Sequence, residues 1–154
     1  MPKKYYNASI RNLVYRLRKF KPVLEQYLKE EIENHADILC QYVRERLWIG
    51  LDGYLESIKP PYAPRTIRKK LKKGQPTDRV TLRDTGDFYE SLHIEFDEGG
   101  FRIVSNDRKA SFLLIRYGEQ VLRVSNEDFT YFIREYIRPA LAKRMKEYIQ
   151  NDRT

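Results

Sequence analysis

At 154 residues, 34% charged and 41% apolar, the chain has the size and polarity of one soluble domain with a modest core. No stretch approaches the roughly 20 apolar residues of a membrane-spanning helix. The basic start Met1-Pro2-Lys3-Lys4-Tyr5-Tyr6 leads into no apolar run or cleavage site, and the lone Cys40 leaves no internal disulfide to form, so a membrane protein and a disulfide scaffold are set aside in favour of a chain made in a reducing cytoplasm.

The net charge of +8 is not spread evenly. Residues 1–21 hold seven Lys/Arg and no acid, residues 59–80 hold eight Lys/Arg against Asp78 alone, and the remainder is net acidic. Local positive charge of this kind suits a polyanion or an acidic protein surface. In chain order, Ile10, Leu13, Val14, Leu17 and Phe20 fall on one helical face, with Arg11, Arg16, Arg18 and Lys19 around them. A short basic helix is expected over residues 1–21, interrupted by Pro22. A longer helix then runs from about Val23 to Trp48, striped by Leu24, Leu28, Ile32, Ala36, Leu39, Val43 and Leu47. Its acids (Glu25, Glu30, Glu31, Glu33) lead and Arg44 and Arg46 follow, which complements the helix dipole.

Residues 50–81 contain Gly50, Gly53, Pro60, Pro61, Pro64, Gly74 and Pro76, with five Lys/Arg between Arg68 and Lys73. Thr66–Lys73 has helical potential but only Ile67 and Leu71 to pack with. The segment reads as a long basic arm outside the core that orders on a partner. Its cations Arg65, Arg68, Lys69, Lys70, Lys72 and Lys73 are the candidate partner- or DNA-facing residues.

Thr85 is placed to cap a short helix to Leu92. A hairpin follows: pairing residues whose numbers sum to 197 sets Phe96 against Phe101, Ile94 against Ile103 and Glu95 against Arg102 across Asp97-Glu98-Gly99-Gly100. Ala110–Tyr117 is apolar and stops at Gly118, which favours a helix, and a short strand is expected at Val121–Val124. Ser125-Asn126-Glu127-Asp128 has the form of a helix start. The last helix carries Phe129, Phe132, Ile133, Tyr136, Ile137, Leu141, Met145 and Tyr148, and Pro139 is expected to kink or break it. The fold class is α+β, organised as a single domain over 1–154: N-terminal helices, a small antiparallel sheet built on a hairpin, a C-terminal helix and the basic arm.

Catalytic patterns are sparse. His35, His93 and Cys40 have no zinc-ligand spacing, and there is no G-x-S-x-G elbow, P-loop or dinucleotide turn. Asp84, Asp87, Glu90 and Glu95 are the acids a metal-dependent nuclease would need, but a helix start and the wet face of a strand explain them better. The twelve tyrosines suit a protein interface more than base stacking. No enzyme activity, cofactor or metal is expected.

Three segments, in order, resemble the phage virion-morphogenesis and tail-completion (head–tail joining) family. They are Pro61, Tyr62, Ala63, Pro64 and Thr66; a lysine run leading to Leu82, Thr85, Gly86, Ser91 and Leu92 before a hairpin; and Phe112 to Gly118. Val121–Phe129 is similar to the family's entry into its last helix. The match spans about residues 48–137, and departs from the pattern where Arg116 stands in place of a frequent histidine and where a Pro-Arg pair before the last helix is missing. The resemblance implies a structural virion protein in the phage neck or at the tail end, forming a homo-oligomeric ring that joins portal (connector) to tail. Its arm would meet packaged DNA or acidic portal and tail surfaces, with no membrane involved. The alternative from the residues alone is a small basic nucleic-acid-binding protein, nuclease or toxin-like.

Overall fold

The computed structural model describes residues 3–151, with side chains at Tyr15 and from residue 18 onward. The fold is α+β: helices and one antiparallel two-stranded hairpin. The chain divides into two compact units, one formed by residues up to Asn34 with those from Ile133 onward, the other by His35–Phe132. Among the described residues no helix is long and apolar enough to cross a membrane.

In the first unit, α1 (Lys3–Asn34) runs straight through Pro22. The expected interruption at Pro22 is therefore corrected: the helix breaks at His35, and α2 spans Ala36–Trp48. A proline forfeits one intrahelical bond, and an otherwise continuous helical pattern on both sides absorbs that loss. The apolar face expected at Ile10, Leu13, Val14 and Leu17 lies outside the described side chains. The break expected at Pro139 is not made: the helix runs on through it to Asn151. A π-helical turn (Ile133–Ile137) precedes α7 (Arg138–Asn151), so the ladder widens just before the residue that lacks an amide. Between α1 and α7, Phe20 and Tyr148 pack ring on ring at 5.4 Å. Arg144 bonds Glu30, lies 2.7 Å from Glu31 through Nε, and covers the Tyr27 ring. The hydrogen bond from Arg144 holds the Glu30 carboxyl below its usual range.

The second unit is built on α2, whose Leu39, Cys40, Val43 and Leu47 are fully buried. Each apolar side chain buried this way stabilises by about 1.5–3 kcal/mol. α2 packs on the hairpin, on α6 (Asn126–Phe132) and on a 3-10 turn at Glu119–Leu122. That turn replaces the strand expected at Val121–Val124. Val121 is wholly buried and Leu122 nearly so, so two consecutive residues point inward, which the alternation of a half-buried strand does not allow. β1 (Leu92–Asp97) and β2 (Gly100–Ser105) pair in the expected register, Phe96 to Phe101, Ile94 to Ile103 and Glu95 to Arg102. α4 is a single turn, Asp87–Glu90, entered through left-handed Gly86, with the Thr85 hydroxyl bonded to the Asp87 carboxylate. α5 (Ala110–Tyr117) ends at Gly118 as expected, and Ser125 caps α6 by accepting the Asp128 amide at 3.1 Å.

The basic arm is the main correction. Residues 50–81 fold onto their own unit. Ile58, Val80 and Thr81 are buried, Leu51 bridges to Ser57, and the buried Asp52 carboxylate accepts the Tyr54 and Glu56 amides. Gly53 donates to the Gln120 carbonyl at 2.8 Å, and a Cβ there would stand 2.7 Å from the Arg123 carbonyl oxygen. Glycine is required by this close backbone approach, not by flexibility. Pro64 opens α3 (Pro64–Lys72) at a position where a missing amide costs nothing.

Candidate functional site

The segments carrying the resemblance come together in this unit. α3 turns Thr66, Lys69, Lys70 and Lys73 to one side, at i, i+3, i+4 and i+7. Opposite stands α5 with Lys109, Phe112 and Arg116, and the Leu82–Phe88 segment forms the floor. Together they enclose a cleft of about 510 Å³.

Tyr62 organises the floor. Its hydroxyl accepts the Thr81 and Leu82 amides at 2.9 and 3.1 Å, which holds Leu82 at a left-handed φ of 54° that a leucine rarely adopts. Beside it, the buried Tyr89 hydroxyl donates to the Thr81 carbonyl, and burial pushes its pKa up. Lys70 is only 6% exposed. Its ammonium donates to the Arg83 carbonyl at 2.6 Å and to Gln75 Oε1 at 3.3 Å, and lies 4.8 Å from the Tyr62 ring centre. Lys73 bonds Asp84, whose other oxygen is 3.7 Å from Lys109. The Lys73 hydrogen bond holds the Asp84 carboxyl below its usual range.

The six arm cations thus divide. Lys70 is a buried structural cation, Lys73 is paired inside the cleft, and Lys69 lines it without a carboxylate partner among the described residues. Arg65, Arg68 and Lys72 stand exposed along α3. Of the resembling residues, Tyr62, Ala63, Thr66, Leu82, Thr85 and Gly86 line the cleft. Ser91 instead donates to the Phe88 carbonyl and meets Ser105 at 2.6 Å. Leu92 is buried at the start of β1, Pro61 and Pro64 are exposed around the approach to α3, and Gly118 ends α5 at φ 88° with the Gln120 side chain against it.

The chain matches no family model, no curated protein and no solved structure. Its reading rests on its own geometry.

The four acids considered for metal chemistry stay apart in role: Asp84 faces Lys73 and Lys109, Asp87 bonds Thr85, Glu95 faces Arg102 at 3.4 Å, and Glu90 is exposed at the end of α4. Among the described residues no three of His, Cys, Asp or Glu gather as a metal would need. His93 bonds the Ser91 carbonyl through Nδ1, and His35 packs edge-on to Phe132 at the helix break.

A second cleft, of about 970 Å³, runs along β2. Every residue from Gly100 to Ser105 lines it. Side chains of a strand alternate between faces, so a run of consecutive lining residues places this cleft along the strand's edge. Sequence reasoning missed Lys109 as a cleft residue, since it lies outside both basic segments. It also missed Arg46, buried on the core face of α2, which donates to the Val121 and Arg123 carbonyls and stands 3.7 Å from Asp128. Burial lowers its pKa. Its one signal was an arginine on the stripe that carries Leu39 and Val43.

Proposed function

We propose that this chain is a structural, non-enzymatic virion subunit that assembles into a ring at a phage head–tail junction or tail end and joins portal to tail. The observation that carries this reading is the convergence of its three resembling segments, residues 61–66, 82–92 and 112–118, around one cation-lined cleft. Two further features support assembly. Phe112 and Ile115 on α5 are 65% and 86% exposed, and apolar side chains grouped beside charge suit a protein contact. β2 offers an open cleft along its edge, where a neighbour's strand can add.

The test is native mass measurement and imaging of the purified chain, alone and with a phage portal protein. Rings, or a defined number of copies on the portal, are expected. A chain that stays monomeric in both settings overturns the reading.

One observation favours a second reading. Arg65, Arg68, Lys69 and Lys72 are exposed along α3 and pair with no carboxylate among the described residues, which also suits a phosphate backbone. A free-standing nucleic-acid binder predicts tight binding by the lone chain, with affinity falling steeply as salt rises. An assembly subunit predicts weak binding until the ring forms.

A further inference from the structure

The cleft between α3 and α5 has an excess of positive charge that the chain itself leaves unanswered. Its acids are already engaged: Asp84 lies between Lys73 and Lys109, and the Asp107 carboxylate accepts the Lys109 amide. Lys69 and Arg116 remain exposed on opposite walls with no carboxylate partner among the described residues, and Arg116 lies over the Tyr117 ring. Phe112 adds exposed apolar surface at the same opening.

The hairpin tip has the converse character. Asp97 and Glu98 are exposed, and neither forms an ion pair among the described residues. Asp97 bonds only the Gly99 amide, at 2.9 Å, which fixes the turn. Gly99 and Gly100 carry no side chains, so backbone at the tip can approach another surface closely. Phe96 and Phe101 pack edge-on just behind it, ring centres 6.4 Å apart. Glu25, Glu30 and Glu31 on α1 already face Lys21 and Arg144, and exposed acids such as Glu33, Glu119 and Glu147 stand singly, whereas Asp97 and Glu98 are adjacent in one turn.

We propose that the acidic hairpin tip of one copy docks into the basic cleft between α3 and α5 of the next copy. Glu98 and Asp97 face Lys69 and Arg116, and Phe112 meets the aromatic base of the tip. Two different patches on one chain, each complementary to the other, make a head-to-tail contact, the kind that closes into rings. Opposite charges across such a contact set the register and reject wrong alignments. This inference rests on the ring reading and names the contact that would build it.

The experiment reverses charge at each end in the full chain. Asp97→Asn/Glu98→Lys reverses the tip charge while an amide oxygen at 97 keeps the turn bond. Lys69→Glu/Arg116→Glu reverses the cleft walls at two exposed sites outside the core. Each variant alone is expected to weaken subunit association about tenfold or more, with unchanged circular dichroism and melting temperature. An equimolar mixture of the two is expected to restore assembly, because each altered tip then finds an altered cleft and each native tip a native cleft. Full assembly by either variant alone, or a mixture that fails to recover, overturns the tip-in-cleft contact while the ring reading stands. Cleft variants that lose nucleic-acid binding but assemble normally also overturn it, by assigning the cleft to DNA or RNA. A wild-type chain that never associates overturns both.

Discussion

Lys70 shows how a single residue changes meaning between sequence and fold. In sequence it is one of five cations in six positions; in the structure its stem is buried and its ammonium serves a carbonyl, an amide and a ring. Lys70→Ala is expected to lower unfolding stability by about 2–3 kcal/mol in urea titration, because the Arg83 carbonyl loses its charged donor. Lys72→Ala, two positions away and exposed, is expected to stay within about 0.5 kcal/mol of the parent. Asp84 makes a pH-dependent contribution of known sign. Its carboxyl is held below the ordinary value by Lys73, so its stabilisation is complete above about pH 3.9, the unfolded value, and fades as pH falls through the depressed one. Asp84→Asn should therefore be less stable than the parent at neutral pH, and the gap should close in acid melts below about pH 4.

At the scale of elements, α3 belongs to the core's support and not to a detachable arm. Removal of Arg68–Lys73 was expected from the sequence to spare the isolated fold. With Lys70 buried and Tyr62 pinning Thr81 and Leu82 beside it, the same deletion is now expected to abolish cooperative unfolding of the 35–132 unit, as measured by a flattened melting transition. The hairpin needed no such revision. Its register follows from alternation and from a turn of fixed length, both local properties, and the pairing of Phe96 with Phe101 and Glu95 with Arg102 comes out as the sequence implied.

For the whole molecule, association through Lys69, Arg116, Asp97 and Glu98 would be electrostatic and exposed, and such pairs are screened within about 8–10 Å at physiological salt. Assembly measured by sedimentation is thus expected to weaken as sodium chloride rises from dilute buffer towards 1 M. A contact governed instead by Phe112 and Ile115 would be insensitive to salt or strengthened by sulfate. The direction of the salt effect ranks the two surfaces before any variant is made.

Periods, turns and caps were legible in the sequence because they depend on neighbours a few residues away. They gave the α+β class, the hairpin register, α5 ending at Gly118 and the Ser125 cap, and the resemblance marked all three segments that later met in one cleft. Long-range packing was not legible. Nothing local says that Gly53 is pressed against Arg123, that Pro22 sits inside an unbroken helix, or that one cation of the five between Arg68 and Lys73 is buried while its neighbours face solvent. Those outcomes depend on which surfaces the rest of the chain brings alongside, 13 to 70 residues away for the Lys70–Arg83 and Gly53–Arg123 contacts, and only the tertiary structure decides them.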